Sequence, residues 1–319
     1  MAVYTDVSFE ELEELLRGYD VGSPLSFKGI AEGVENSNFY LQTDKGAYFL
    51  TLYEKRVSEN DLPFFLGLME HLAKRGIACP QPIRRKDGTQ WGQLNGRPAA
   101  LVTFLTGLSV RRPETVHCAA VGTALASLHE AGLDFALTRR NALGPGGWAE
   151  LVDKTAHGAD AIEGGLRELI ATSHKNLVAN WPSDLPTGVI HADLFPDNVF
   201  FLNGHVSGVF DFYFACNDAF AYDLAVTLNA WCFESDGSFN ITKGKNLIAA
   251  YRQKRELSQR EAEALPTLAA GAALRFLLTR LYDRINHDPN ALVRPKEPLD
   301  YSKRLRFHLK VRSPAEYGL

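Results

Sequence analysis

Asp193, Asn198 and Asp211 are the residues whose types and spacing could do chemistry in this chain. They lie in Val189-Ile-His-Ala-Asp-Leu-Phe-Pro-Asp-Asn-Val-Phe-Phe-Leu202 and in Gly208-Val-Phe-Asp-Phe212. A carboxylate, an amide a few residues on and a second carboxylate after the next apolar run form the inventory for phosphoryl transfer from ATP. Such a transfer needs an acceptor hydroxyl aimed at the γ-phosphate, and Asp193 is the carboxylate placed to aim it. Magnesium takes oxygen ligands, commonly one or two from the protein and the rest from phosphates and water. The Asn198 amide oxygen and the Asp211 carboxylate are the candidates. Between them, apolar Val199 to Leu202, the turn pair Asn203-Gly204 and the run from His205 to Phe210 predict a short hairpin. Such a hairpin would fold Asp211 back toward Asn198.

A lone Asp or Asn in this setting usually just starts a turn. Here His191-x-Asp193, the following Pro-x-Asn198, an apolar hairpin and Asp211-Phe212 coincide, and turn chemistry alone does not account for all four.

His191-Ala-Asp193-Leu-Phe-Pro-Asp-Asn198 with Asp211-Phe-Tyr213 resembles the catalytic loop and metal aspartate of the aminoglycoside phosphotransferase and choline kinase group, relatives of protein kinases that act on small molecules. Asp-Phe-Tyr in place of Asp-Phe-Gly, and the lack of an Ala-Pro-Glu segment, argue against a protein substrate. Within the group, Gly33-Val-Glu-Asn-Ser-Asn-Phe-Tyr40, Tyr48-Phe-Leu-Thr-Leu-Tyr-Glu54, Leu62-Pro-Phe-Phe65, Cys79-Pro-Gln-Pro82 and Leu274-Arg-Phe-Leu-Leu-Thr-Arg-Leu-Tyr-Asp283 are most similar to the homoserine kinases of this fold, over nearly the whole chain. The resemblance implies an α+β, two-lobed, protein-kinase-like fold, with ATP and Mg2+ as cofactors and L-homoserine as acceptor. Its product, O-phospho-L-homoserine, would serve threonine biosynthesis. The alternatives are another small alcohol, such as choline, methylthioribose, a hexosamine or an aminoglycoside, and a nucleotide-binding pseudokinase.

The elements that must position these residues follow from periodicity. Ser8 to Tyr19 predicts a short capped helix; Pro24 to Ile30, Ser37 to Thr43 and Ala47 to Tyr53 predict strands. A helix over Asp61 to Arg75 and strands near Gln90 to Leu94 and Pro98 to Phe104 complete an N-lobe, residues 1–105, of about five antiparallel strands and one packed helix. The C-lobe, residues 106–319, is expected to be mainly helical. Its predicted helices are Pro113 to Ala131, Trp148 to Asp160, Ile162 to Trp181, Ala221 to Phe233, Thr242 to Lys254, Ser258 to Asp288 with a break near Pro266, and Asp300 to Arg312.

In the loop from Gly29 to Asn38, backbone amides and short polar side chains are expected to cap the triphosphate, with Gly33, Asn36 and Ser37 as nucleotide contacts. Leu101 to Leu105 is the expected hinge, setting Thr103 and Leu105 beside adenine. Where the group carries a basic residue for the α- and β-phosphates, this chain has Thr51; Lys28, Lys45, Lys55 and Arg56 remain open as substitutes. Glu59 and Glu70 are both open as the glutamate that would pair with such a cation. The resemblance further implies that Asp223 braces the catalytic loop through backbone hydrogen bonds and that His191 orients it. His117 and His129 read as ordinary helix residues. For a zwitterionic acceptor, Arg275, Arg280 and Asp283 on one C-terminal helix are candidates to hold its carboxylate and ammonium.

Composition narrows the class. The 319 residues are 45% hydrophobic and 23% charged, with a net charge of −4 and an isoelectric point near 6.2. That is enough chain for two lobes with a large core, without the basic footprint of a nucleic-acid partner. Four scattered cysteines suggest neither a zinc site nor a disulfide framework. With no basic-then-apolar start and no uninterrupted apolar run long enough to span a bilayer, the expectation is a cytoplasmic enzyme with no membrane partner, and with no sustained heptad or long exposed apolar edge the default is a monomer.

Overall fold

The structure, a computed structural model, describes residues 5–30, 36–54, 57–287 and 294–319. The chain divides into two compact units, Met1–Gly107 with Ser207–Tyr213, and Leu108–Val206 with Phe214–Leu319.

The first unit opens with helix α1, Phe9–Leu16, started by a capping box. Ser8 Oγ accepts from Glu11 N at 3.2 Å and Glu11 Oε2 accepts from Ser8 N at 2.7 Å. Strands β1 (Pro24–Gly29), β2 (Ser37–Thr43) and β3 (Ala47–Leu52), helix α2 (Leu62–Lys74), and strands β4 (Gly92–Leu94) and β5 (Arg97–Thr103) follow. The strands form one antiparallel sheet in the order β1-β2-β3-β5-β4. Burial alternates strictly along β2, as a half-buried strand requires. One face of the sheet joins Leu12, Leu16, Phe39, Leu41, Leu50 and Leu101 in a core. Asn95 and Gly96, at φ 52° and 69°, make the tight turn between β4 and β5.

The second unit is mainly helical. It comprises β6 (Leu108–Ser109), α3 (Thr115–Ala131), α4 (Pro145–Thr155), α5 (Ala159–Ile162), α6 (Leu166–Ala179), β7 (Thr187–Ile190), β8 (Val199–Leu202), the start of β9 (His205–Val209), β10 (Cys216–Ala219), α7 (Phe220–Trp231), α8 (Ile241–Arg252), α9 (Gln259–Ile285) and α10 (Leu299–His308). β7 pairs antiparallel with β10, and β8 with β6. The Asn203-Gly204 turn has φ 52° and 80°, the geometry expected of the hairpin joining β8 to β9. Gly122 lets α3 lie close against α8, since a Cβ there would fall 2.2 Å from the Leu247 carbonyl oxygen.

Two helix expectations need correction. α9 runs through Pro266 without a break; Pro266 removes one backbone donor, but Leu265, Leu268 and the run from Ala269 to Leu274 are buried against neighbouring helices and hold the turn. The stretch from residue 148 to 181, expected as two helices, forms three, interrupted at Gly158 and at Gly165, whose φ is +81°. α9 is long and apolar enough by composition to cross a membrane, yet its apolar window is 72% buried in the fold, which is the signature of a core helix.

Candidate active site

The antiparallel pair β7 and β10 delivers the chain to His191, and the next turn is held from several sides. The backbone N–H groups of His191 and Ala192 donate to Oδ2 and Oδ1 of Asp223 at 2.7 and 2.8 Å. Asp223, in the first turn of α7, is completely buried. Burial alone would raise its carboxyl pKa, but donation from His129 Nε2 at 3.0 Å and from the loop amide outweighs that and holds it below the usual carboxylate value. Ala192 sits at φ +61°, a left-handed conformation that costs a non-glycine residue on the order of 1 kcal/mol. Its carbonyl accepts from Arg275 Nη1. Trp231 Nε1 donates to the Leu194 carbonyl at 2.7 Å. A strained turn is thus pinned through both its N–H groups and its carbonyls.

Asp193 follows this turn, its N–H donating to His191 Nδ1 at 3.2 Å. Asn198, at the end of a 3-10 turn over Pro196–Asn198, donates through Nδ2 to the Asp193 carbonyl at 2.8 Å and to Asp193 Oδ2 at 3.2 Å. The amide nitrogen is therefore engaged with Asp193. An amide oxygen such as Asn198 Oδ1 is a ligand type magnesium accepts. Asp211, just past β9, is exposed at φ +58° and belongs with the first unit. Among the described residues no group of three or more His, Cys, Asp or Glu forms a ready-made metal cluster.

In the first unit several expected nucleotide contacts are engaged elsewhere. Gly33, Lys55 and Arg56 lie outside the described residues. Ser37 is completely buried and its hydroxyl donates to Glu54 Oε1 at 2.8 Å, while Asn36, 4% exposed, accepts from Glu54 N at 3.3 Å. Both side chains are thus tied to Glu54, just past the end of β3. Thr51, 5% exposed, donates to Asn38 Oδ1 at 2.9 Å. Thr103 Oγ1 accepts from Gln81 N at 2.9 Å, and Leu105 is half-buried. Glu70 is paired with Lys74 and Arg84, and Glu59 accepts from Trp91 and Gln93. Glu54, just past β3, pairs with Arg97 at 3.2 Å. Lys45 pairs with Asp20, and Lys28 is exposed on β1.

Of the candidate acceptor residues, Arg275 is corrected: it is 2% exposed, bound to the Ala192 carbonyl and stacked on Phe276 and Phe214 at 4.3 and 5.3 Å. Through that carbonyl it holds the turn that precedes Asp193. Arg280 donates to the Glu297 carbonyl at 3.0 Å and stacks on Tyr301 at 4.5 Å. Asp283, one turn further along α9, is half-buried. His129 is the residue that sequence reasoning passed over. Its partner lies 94 positions away, so helical spacing carries no trace of the contact.

The family model described as "Phosphotransferase enzyme family" matches residues 26–257. The chain belongs to the phosphotransferase enzyme family. This phosphotransferase is 62% identical over 319 residues to a homoserine kinase of Parvibaculum lavamentivorans, covering all of this chain and 99% of that one. It is 60% identical over 319 residues to a homoserine kinase of Xanthobacter autotrophicus, again covering all of this chain and 99% of the relative. Its fold is that of an amicoumacin kinase (TM-score 0.69, 15% identity, 95% and 92% of the two chains) and a spectinomycin phosphotransferase (TM-score 0.68, 14% identity, 98% of each). The α+β, two-lobed kinase-like architecture follows from these likenesses.

Proposed function

We propose that this phosphotransferase transfers the γ-phosphate of ATP to the side-chain hydroxyl of L-homoserine, giving O-phospho-L-homoserine and ADP for threonine biosynthesis. The observation that carries the reading is the identity of about 60% over the whole chain to homoserine kinases. The loop geometry supports it independently, because Asp193 is oriented by Asn198 and its turn is locked by Asp223.

In this mechanism Asp193 accepts a hydrogen bond from the acceptor hydroxyl and aims its oxygen at the γ-phosphorus. The new P–O bond forms as the bond to the bridging β,γ-oxygen breaks, that oxygen leaves with ADP, and the hydroxyl proton passes to Asp193. Asn198 Oδ1 and the Asp211 carboxylate would hold Mg2+, which when bound neutralises developing phosphate charge. His191 and Asp223 position the loop, and Arg280 is our candidate for the acceptor's carboxylate. All four cysteines are free and buried, which supports a reducing compartment, and we take the working unit to be a cytoplasmic monomer.

The test is a magnesium-dependent ATP-consumption assay offering L-homoserine beside choline, methylthioribose, an N-acetylhexosamine and kanamycin. Saturable turnover on homoserine is expected. ATP binding with no turnover on any acceptor would instead favour a pseudokinase.

A further inference from the structure

Three arginines on α9 and α10 gather near the catalytic loop with little negative charge to match them. Among the described residues neither Arg275 nor Arg304 is ion-paired, and Arg280 meets only Asp300, at 3.9 Å. Arg275 is sealed against the loop backbone. The other two share one aromatic ring: the guanidinium carbons of Arg280 and Arg304 lie 4.5 and 4.4 Å from the centroid of Tyr301. Each is further held by a carbonyl, Glu297 O for Arg280 and Asn229 O, at 2.6 Å, for Arg304. A ring face and a carbonyl steady a guanidinium without neutralising it, and they leave part of its fork of donors for a carboxylate.

The cluster belongs to the same neighbourhood as Asp193. Tyr301 lies 6.5 Å, ring to ring, from Phe195, two residues beyond Asp193, and 5.1 Å from Phe276, which itself packs on Phe195 at 4.9 Å. The charge of Asp193 is felt at both Arg280 and Tyr301. Tyr301 is completely buried, and among the described residues its hydroxyl has no hydrogen-bond partner. Two like charges held against one ring repel each other, and an anion close to them would relieve that repulsion.

We propose that Arg280 and Arg304, set by the Tyr301 ring, form the site that takes the acceptor's carboxylate and so selects an amino-acid alcohol over the same alcohol lacking the carboxylate. This assignment rests on the homoserine kinase reading. It adds Arg304 and Tyr301 to the specificity apparatus and separates Arg280 from Arg275.

The experiment compares kcat/KM for L-homoserine and for 3-aminopropan-1-ol, its decarboxylated counterpart, in the wild type and in Arg280→Gln, Arg304→Gln and Arg304→Lys, with KM for ATP measured in each. The wild type should prefer homoserine strongly. In the two Gln variants the ratio of kcat/KM for homoserine to that for 3-aminopropan-1-ol should fall about tenfold or more, the loss lying mainly in KM for homoserine. Arg304→Lys keeps the charge and the packed stem and should lie between, which guards against a Gln variant that fails to fold. Homoserine phosphorylation with the preference intact in the variants would overturn the carboxylate site and leave the kinase reading standing. A wild type that does not act on homoserine would remove both.

Discussion

His129 Nε2 lies 3.0 Å from Asp223 Oδ2, and both side chains are completely buried. The contact continues outward: His129 Nδ1 is 2.8 Å from the Tyr251 hydroxyl, which accepts from Arg255 at 3.1 Å, and Arg255 is paired with Glu261 at 2.9 Å. Because Arg255 has only N–H groups to give, the tyrosine hydroxyl is left to donate to Nδ1, and the imidazole donates through Nε2 to the carboxylate. Burial keeps His129 below the usual imidazole pKa, so the ring is neutral and its tautomer is set by its partners. The catalytic loop thus hangs on a carboxylate that is itself oriented from α3 and α8.

Asp223→Asn tests that support. An amide keeps the shape, but its NH2 group confronts the N–H donors of the loop and of His129. We expect a loss of roughly 3 kcal/mol in a urea titration, since a buried charged acceptor is removed from under its donors. The kcat should fall with it, while a wild-type urea midpoint would show that the loop does not depend on this carboxylate.

Asn198→Ala removes both hydrogen bonds to Asp193 and the proposed magnesium oxygen. The expected result is a kcat lowered by about a hundredfold or more, with KM for the acceptor little changed and part of the loss recovered at higher free Mg2+. Steady-state kinetics across a magnesium series would reveal it. Full activity at every concentration would remove Asn198 from the mechanism.

Acid should weaken the fold through His308. Burial lowers its pKa to about 3, with Tyr317 and Asn229 on its two nitrogens. A histidine whose folded pKa lies below its unfolded value near 6.5 binds fewer protons when folded. Its contribution is therefore intact above about pH 6.5 and is lost as the pH falls from there toward 3. Between pH 7 and pH 5 the loss from this residue should be about 2 kcal/mol, measured as urea midpoints at the two pH values. A smaller slope in His308→Gln would identify the group, whereas equal slopes would place the acid sensitivity elsewhere.

Pro266→Ala returns a backbone donor to the interior of α9. The variant should be more stable by about 1 kcal/mol in thermal unfolding, the recovered helical bond outweighing the extra freedom of the unfolded chain. A lower midpoint would mean that the ring's packing matters more than the missing bond.

Phosphoryl transfer demands particular residue types at close spacing, which singled out Asp193 and Asn198 in the sequence, and the fold keeps the two hydrogen-bonded. The Asn203-Gly204 turn was legible for a similar reason, since two successive left-handed residues favour that pair. What was illegible lies in long-range contacts. Arg275 stands on a helix buried nearly all round, so its periodicity did not reveal that it faces the Ala192 carbonyl rather than a ligand. Ser37 and Asn36 sit in a loop that reads as phosphate-capping, and only the position of Glu54 on the folded sheet turns them inward. Arg304 lay on a segment read only as a helix, and its relation to Tyr301 becomes evident only when α10 is set against α9.

In the proposed mechanism Asp193 activates the hydroxyl of homoserine for attack on ATP. Its most direct test is the coupled ATP-consumption assay with magnesium and L-homoserine, run on the wild type and on Asp193→Asn, with nucleotide affinity measured separately. The account predicts saturable turnover in the wild type, and in Asp193→Asn a kcat lower by about a thousandfold or more with ATP binding retained. Undiminished turnover in Asp193→Asn would contradict it.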